Sequence, residues 1–356
     1  MPPPARFRRL AALVVALVSV TSAAARADKV DNLVRAEMPR SKVPSLSLAV
    51  IRNGQLVKAQ GYGLADVARQ VPATPDTVYK IGSVSKQFIA TGVMLLVQEG
   101  RLSLEDPVSK HLQDTPASWS SITIGHLLTP TSGIVREGPA FDPFKIQSDA
   151  DVVKSAYPLP LRFEPGTKWE YCNTGYFALA EIIHKVSGQP WSDYLNAKVF
   201  QPTGMTSTRP TSAKDPMRAL GYAGEDNRDV TPDWPAVRPS GAFLSTVRDL
   251  VKWEGVLATN QILTDESRRL MWTPVRLNDG SSSPYGFGWE LGERAGRRYI
   301  GHGGSLPGFR SVYARFPDDR LTVIVLVNAD DVDRDAIVKG IADIYLQVEA
   351  TAPARD

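Results

Sequence analysis

The sequence has only one cysteine, Cys172, among its 356 residues. An intramolecular disulfide is therefore impossible, and the fold has to be held together by its hydrophobic core. The length and the 43% of hydrophobic residues allow a large buried core, in one big domain or two closely packed ones. Only 22% of the residues are charged, so disorder is not expected for the chain as a whole.

Several motifs that indicate a particular chemistry are also missing. The four histidines lie far apart in sequence, and no His-Glu-x-x-His or Cys-x-x-Cys motif occurs, so nothing argues for a metal site. No Gly-x-Ser-x-Gly occurs, which leaves a nucleophile elbow unsupported. A glycine loop for phosphate is absent too, and we expect no cofactor.

The only long apolar stretch lies at the N-terminus, from Leu10 to Val20, after the basic residues Arg6, Arg8 and Arg9. The small-x-small triplet Ala25-Arg26-Ala27 follows, which completes the tripartite pattern of a secretory signal peptide. The apolar run is shorter than the roughly 20 residues of a membrane-spanning helix, so an N-terminal anchor is the weaker alternative. Residues 1–27 are predicted to be a signal peptide, and the mature protein to be periplasmic or secreted without a stable membrane span.

The signal peptide also accounts for the basic balance of the chain. Residues 1–27 hold four basic residues and no acidic ones, so their removal changes the formal net charge from +3 to −1. A nearly neutral mature protein gives no electrostatic reason to bind nucleic acid.

Strand patterns occupy both ends of the mature chain, and helix patterns fill its middle. Asn53-Gly54 separates two strand-like runs and is the strongest two-residue hairpin signal. We expect an α/β (α+β) fold: an antiparallel sheet from residues 28–80 and 281–356, flanked by helices, beside a mostly helical region at 81–280. All of 28–356 is predicted to be one domain, because a separate two-stranded N-terminal hairpin would be barely stable. The predicted strands are Ser45–Ile51, Gln55–Tyr62, Tyr285–Leu291, Arg298–Gly301, Phe309–Phe316 and Leu321–Asn328; the predicted terminal helices are Asp28–Met38 and Asp333–Gln347.

Ser83 and Lys86 form a Ser-x-x-Lys pattern at the start of a predicted helix, Ser83–Glu99. Residues three apart lie on one helical face, so the hydroxyl and the amine can touch. A lysine whose pKa is lowered by burial can take the serine proton, and the helix N-terminus favours a developing oxyanion. In the alternative interpretation, Ser83 caps the helix and Lys86 is solvated.

Two further motifs contain residues that could act together with Ser83 and Lys86. In Tyr171-Cys172-Asn173, side chains two apart on an extended segment point the same way, so Tyr171 could relay a proton and Asn173 could hold the lysine or the substrate. Alternatively, Tyr171 packs in the core, Asn173 caps a helix, or Cys172 is itself a nucleophile. Gly301–Ser305 lies at the end of a predicted strand, where His302 could bind substrate or donate a proton, or could be structural.

The three motifs, in this order, resemble the serine β-lactamase-related hydrolases. This family includes class C β-lactamases, DD-peptidases, D-aminopeptidases and related esterases. The likeness runs from about Val43 to Val327 and includes other stretches, such as Thr131-Ser132-Gly133 and Ser240-Gly241. It implies the β-lactamase/transpeptidase-like fold, an antiparallel sheet flanked by helices beside a helical region, which agrees with the organisation above.

The resemblance also implies roles for individual residues. Ser83 would be the nucleophile that becomes acylated, Lys86 its base, and Tyr171 a proton carrier in acylation and deacylation. Asn173 would orient the lysine or the substrate. The backbone N–H groups of Ser83 and Ser305 would form the oxyanion hole, and the substrate-binding residues would be Asn173, His302, Gly304 and Ser305.

One departure from the family bears on the substrate. β-Lactamases and many DD-peptidases usually have Lys-Thr-Gly where this chain has His302-Gly303-Gly304. A histidine with an ordinary pKa of about 6.5 is mostly neutral at pH 7, so binding of a substrate carboxylate should weaken unless Arg310 compensates. We expect a small ester, amide or D-peptide as substrate. The alternatives are a class C type β-lactamase and a catalytically silent, penicillin-binding-like protein; the oligomeric state is not predicted.

Overall fold

A computed structural model describes residues 29–346, apart from 211–214, 216, 236–237, 242 and 295. The predicted signal peptide and the last ten residues of the chain lie outside these. In the part of the chain that the structure describes, no helix combines the length and the hydrophobicity needed to cross a membrane.

The described elements follow the predicted order of strands, helices and strands. The strands are β1 Ser45–Arg52, β2 Gln55–Asp66, β3 Val71–Pro72, β4 Tyr79–Lys80, β5 Arg209–Pro210, β6 Tyr222–Ala223, β7 Asp229–Val230, β8 Phe243–Ser245, β9 Val275–Arg276, β10 Ser282–Ser283, β11 Glu290–Arg294, β12 Arg297–Leu306, β13 Phe309–Phe316 and β14 Leu321–Val327. The α-helices are α1 at 29–40, α2 Lys86–Gln98, α3 Ile124–Leu128, α4 Asp149–Ser155, α5 Thr174–Ser187, α6 Trp191–Leu195, α7 Val247–Leu257, α8 Asp265–Met271 and α9 Arg334–Leu346.

A seven-stranded antiparallel sheet joins the two ends of the chain, in the order β11-β12-β13-β14-β1-β2-β3. β1 pairs with β14 from Leu46 opposite Val327 to Arg52 opposite Leu321, so the first and last long strands are neighbours. The β1–β2 turn has positive φ at both Asn53 and Gly54, as a type I′ hairpin requires. The predicted antiparallel sheet built from both ends is confirmed.

Both faces of the central strands are covered. Every residue of β14 is buried, and alternate side chains enter two different apolar clusters: Ile324 and Leu326 on one face, Val323, Val325 and Val327 on the other. The second cluster also contains residues of α1 and α9, whereas the first continues into α2, α5 and α7. Because the sheet and the helical region share that first cluster, the helical region is packed directly on the sheet.

Several predicted strand boundaries are wrong. β2 continues past Tyr62 to Asp66, because its last residues pair with β3. β11 begins at Glu290 and not at Tyr285, because a Cβ at Gly288 would lie 2.8 Å from the carbonyl oxygen of Lys86, and residues 285–289 turn against the start of α2 instead. β12 continues through Gly301 to Leu306, because β13 pairs with it along that whole length. The glycine-rich motif Gly301–Ser305 therefore lies inside β12 and not at the end of a shorter strand.

Candidate active site

The Ser83 segment is attached to β12 by two glycines. Ser83 lies in a 3₁₀ turn, Gly82–Ser85, that leads into α2. Gly82 has a φ of +52°, and a Cβ there would lie 2.7 Å from the backbone nitrogen of Ser305. A Cβ at Gly304 would overlap the carbonyl oxygen of Ile81. The absence of both side chains lets the turn and the strand touch, which places the backbone of Ser83 beside that of Ser305.

The edge of β12 next to this turn is open. β11 pairs with β12 only from Arg294 opposite Arg297 to Glu290 opposite Gly301. From His302 onward the strand therefore has β13 on one side and the cavity on the other. Unpaired N–H groups of a strand edge are ready donors for a ligand oxygen.

Lys86 is completely buried, so the alternative in which it is solvated is wrong. Its Nζ lies 2.7 Å from the carbonyl oxygen of Ser240, 2.8 Å from Oδ1 of Asn173 and 3.4 Å from Oγ of Ser83. The helix-cap alternative for Ser83 is wrong as well, because Ile81 and Ser85 hold the cap positions of the turn and the helix. The hydroxyl and the amine meet as the Ser-x-x-Lys spacing predicts.

The surroundings of Lys86 favour its neutral form. Burial lowers its pKa well below the ordinary lysine value, and the positive charge of Arg238 lowers the pKa further, whereas Glu137 raises it. A neutral amine has two N–H bonds and one lone pair. The oxygens of Ser240 and Asn173 can only accept, so they take both N–H bonds and leave the lone pair for the hydroxyl of Ser83.

Tyr171 covers this pair from the other side. Its ring centroid lies 4.6 Å from the Lys86 Nζ and 5.2 Å from the guanidinium of Arg136. Burial raises the pKa of the Tyr171 phenol above its usual range, and the nearby Ser83 hydroxyl opposes that rise. The phenol oxygen is buried without a hydrogen-bond partner of normal geometry, although Ser83 is close enough to influence it. It is therefore a protonated, unengaged hydroxyl next to Ser83.

Asn173 occupies the N-cap position before α5, as the capping alternative expected, but its side chain makes no bond to the helix backbone. Its Oδ1 accepts from Lys86, and its Nδ2 donates to the carboxylate of Glu137. Cys172 points the other way, into the core, where burial raises the pKa of its thiol to about 12. A thiolate nucleophile at Cys172 is thus excluded at neutral pH.

His302 is buried and engaged through both ring nitrogens. Nδ1 lies 2.6 Å from the carbonyl oxygen of Gly303, and Nε2 lies 2.9 Å from the hydroxyl of Tyr285. Burial lowers the pKa of His302 to about 4, so the ring is neutral at pH 7. Because a carbonyl can only accept, Nδ1 carries the proton and Nε2 accepts from Tyr285. The position of the family's motif lysine therefore has no positive charge here.

The described residues give no support to compensation by Arg310. Its guanidinium binds Asp330 at 2.7 Å and the carbonyl oxygens of Leu306 and Phe309, and it does not line the cavity. Arg334 is the cation that lies along the motif: it donates to the Gly304 carbonyl and to Ser305 Oγ. A Cβ at Gly303 would lie 2.7 Å from the end of this flexible side chain, which could move aside, so Gly303 is less constrained than Gly304.

The predicted residues surround one cavity of about 350 Å³. Gly304 is not in its lining, and Lys86 reaches it only through its contact with Ser83. Several charged and aromatic residues of the cavity lining were not predicted from the sequence. The available signal was their position in the chain: Arg136 and Glu137 follow the family-like stretch Thr131-Ser132-Gly133, and Arg238 precedes Ser240-Gly241. The lining residues are Ser83, Arg136, Glu137, Tyr171, Asn173, Trp234, Arg238, Ser240, Gly241, Glu290, His302, Gly303, Ser305, Leu306 and Pro307. Within the described ranges, no three His, Cys, Asp or Glu side chains are grouped so that they could hold a metal ion.

Comparison with known proteins agrees with this geometry. A family model described as Beta-lactamase matches residues 30–346. Penicillin-binding protein 4* of Bacillus subtilis (strain 168) is 32% identical over 311 residues, covering 78% of this chain and 68% of that protein. The putative penicillin-binding protein PbpX of the same organism is 33% identical over 282 residues, with the same coverage.

Solved structures show the same fold. An octameric penicillin-binding protein homologue from Pyrococcus abyssi aligns with a TM-score of 0.79 and 29% identity, over 91% of this chain and 77% of that one. D-amino acid amidase from Ochrobactrum anthropi SV3, complexed with L-phenylalanine amide, aligns with a TM-score of 0.78 and 25% identity, over 91% of this chain and 99% of the amidase. With its β-lactamase/transpeptidase-like fold and a family match across nearly all described residues, this chain belongs to the β-lactamase family of serine hydrolases.

Proposed function

We propose that this protein is an exported serine hydrolase that forms an acyl-enzyme on Ser83 with small esters, amides or D-peptides. The observation that carries the proposal is the environment of the Lys86 amine. Its two N–H bonds are taken by the oxygens of Asn173 and Ser240, so its lone pair is available to the Ser83 hydroxyl. A pKa lowered by burial keeps this amine neutral and able to act as a base.

In acylation, Lys86 takes the proton of Ser83 as Oγ forms a bond to the substrate carbonyl carbon. The carbonyl oxygen becomes an oxyanion, which the backbone N–H groups of Ser83 and Ser305 stabilise. As the tetrahedral intermediate collapses, the bond to the leaving oxygen or nitrogen breaks. Tyr171 gives its proton to that atom and regains one from Lys86, and the acyl group stays on Ser83.

Deacylation runs the same proton path in reverse. A water molecule gives a proton to Tyr171, which passes its own proton to Lys86, while the water oxygen bonds to the acyl carbon. The ester bond to Ser83 breaks, and Oγ recovers its proton. Each turnover thus consumes one water and leaves the enzyme unchanged. Tyr171 has to be protonated at the start, because it gives a proton to the leaving group, and its raised pKa agrees with this.

Size and charge support a small substrate. A cavity of about 350 Å³ is at the lower end of ordinary ligand pockets. The neutral His302 offers no cation for a substrate carboxylate, which favours neutral esters and amides. The structural similarity to a D-amino acid amidase supports the amide branch. A β-lactamase stays the second candidate, because Arg136 and Arg238 also line the cavity and are cations that a substrate carboxylate could bind.

The test is hydrolysis of three substrates by the mature chain: p-nitrophenyl acetate, D-phenylalanine amide and a chromogenic cephalosporin. We expect ester or amide turnover to exceed cephalosporin turnover, and Ser83→Ala to lower kcat by at least about 10³-fold. Ser121→Ala is the matched control, since Ser121 is exposed and does not line the cavity. Full hydrolysis by Ser83→Ala would contradict the proposal, because the nucleophile would then be another residue. Rapid cephalosporin turnover would move the β-lactamase to first place.

A further inference from the structure

Four side chains form a continuous hydrogen-bonded path behind Ser83. Lys86 donates to Oδ1 of Asn173 at 2.8 Å, and Nδ2 of Asn173 donates to the carboxylate of Glu137. Nη2 of Arg238 donates to both oxygens of Glu137, at 2.9 and 3.1 Å. A carboxylate can only accept and the amide nitrogen can only donate. Glu137 therefore decides which way the Asn173 amide is turned, and so which atom faces Lys86.

Arg238 holds the outer end of this path rigidly. It is buried, and its guanidinium lies 4.2 Å from the ring centroid of Phe141. The same segment also binds Lys86: Gly241 N donates to the Arg238 carbonyl at 3.0 Å, and this turn presents the Ser240 carbonyl that accepts from the amine. One turn thus supplies both a direct partner of Lys86 and the cation at the far end of the path.

From this geometry we propose that Glu137 and Arg238 are positioning residues that act through Asn173 to orient the Lys86 amine. The inference rests on the proposed roles of Ser83 and Lys86. Neither residue needs to touch the substrate. The pair combines a cation and an anion that both act on the charge of the amine, so the loss of either one exposes the effect of the other.

Glu137 and Arg238 also act on the Lys86 pKa in opposite directions, as their opposite charges require. The cation of Arg238 lowers the Lys86 pKa and the carboxylate of Glu137 raises it, whereas Arg136 lowers it and Cys172 raises it. Tyr171 and Tyr176 face the amine with their rings at 4.6 and 5.2 Å, and both phenols are neutral because burial raises their pKa values. The charged and titratable groups around Lys86 are thus Arg136, Glu137, Tyr171, Cys172, Tyr176, Arg238, Glu290 and His302.

The experiment measures two pH profiles on the mature chain: kcat/KM for p-nitrophenyl acetate, and the rate of Ser83 modification by a fluorophosphonate, which needs no knowledge of the natural substrate. Arg238→Met removes the lowering cation and leaves Glu137 unpaired, so the acid limb should move to higher pH by about one unit. Glu137→Gln should move the limb to lower pH by a similar amount, because the raising anion is gone.

Three further variants separate positioning from folding. Arg238→Lys keeps the charge, and its acid limb should stay at the wild-type pH. The double variant Glu137→Gln/Arg238→Met should lie between the single variants. Arg269→Met is the matched control, because it breaks an exposed ion pair with Glu266 away from the cavity and should leave both profiles unchanged.

Two results would overturn the inference. The first is lower rates with an unmoved acid limb in Glu137→Gln and Arg238→Met, which would make the pair merely structural. The second is a raised KM for amine-bearing amides alone in Glu137→Gln, again with an unmoved limb, which would make Glu137 a substrate ligand. Full activity of Ser83→Ala would instead overturn the proposed function, so the two failures are distinguishable.

Discussion

At the residue scale, burial of the Lys86 amine lowers the free energy of unfolding, although the same burial lets the amine act as a base. Between its lowered folded pKa and the free lysine pKa of about 10.4, the unfolded chain binds a proton at this position that the folded chain does not. Stability therefore rises with pH across that interval. Each pKa unit of lowering costs about 1.4 kcal/mol at a pH below both pKa values.

Lys86→Met should consequently abolish activity and raise the melting temperature at pH 7 by a few degrees, even though Asn173 and Ser240 each lose a partner. The gain should shrink as the pH approaches about 10, where the lysine is neutral in both states. Thermal unfolding at pH 7 and 10 measures this. Lys185→Met, on an exposed helix face, should give no gain. A variant less stable than wild type at pH 7 would contradict the prediction.

The same lowered pKa shapes the rate profile. If the neutral amine of Lys86 is the base, kcat/KM should rise through a pKa well below about 10.4 and then reach a plateau. His302 should not contribute between pH 5 and 8, because its own pKa of about 4 leaves it neutral throughout that interval. A rate that still climbs steeply above about pH 10 would be incompatible with a buried, neutral lysine.

At the scale of elements, the contact between the Gly82–Ser85 turn and β12 governs the oxyanion hole. Gly304→Ala would push its Cβ into the carbonyl oxygen of Ile81 and separate the two backbones. We expect kcat/KM to fall by at least about 100-fold, comparable to the loss of one oxyanion donor, with KM little changed. Steady-state kinetics with p-nitrophenyl acetate measures this, alongside circular dichroism to confirm folding.

Gly255→Ala is the control for that variant. Gly255 lies exposed inside α7, and a Cβ there meets no atom within 4 Å. Alanine should be neutral for activity and should stabilise the helix by up to about 1 kcal/mol. If Gly304→Ala behaves like Gly255→Ala, the close contact between turn and strand does not matter for catalysis.

At the scale of the whole molecule, the sheet depends on both ends of the mature chain, because β1 lies between β14 and β2. Removing a signal peptide of residues 1–27 would leave this sheet intact, since its first strand begins at Ser45. We predict that protein recovered from the periplasm or medium of an expressing bacterium starts at Asp28. Intact-mass analysis and N-terminal sequencing test this. A recovered chain that retains Met1 would argue for a membrane anchor instead.

Local pattern was sufficient for the elements and for the reactive pair. The Asn53-Gly54 turn, the helical spacing of Ser83 and Lys86, and the shared direction of Tyr171 and Asn173 depend only on backbone periods of a few residues. These periods hold whatever surrounds them. The order of the three motifs then indicated the family, and with it the fold that the structure confirms.

Charge states and strand limits needed the tertiary structure, because they depend on neighbours far away in sequence. His302 is neutral because it is buried beside Tyr285, and Arg310 is unavailable because Asp330 binds it. Similarly, β12 continues through a glycine-rich stretch only because β13 pairs with it. The 137–238 ion pair behind Lys86 spans 101 positions of sequence, and no local pattern specifies such a contact.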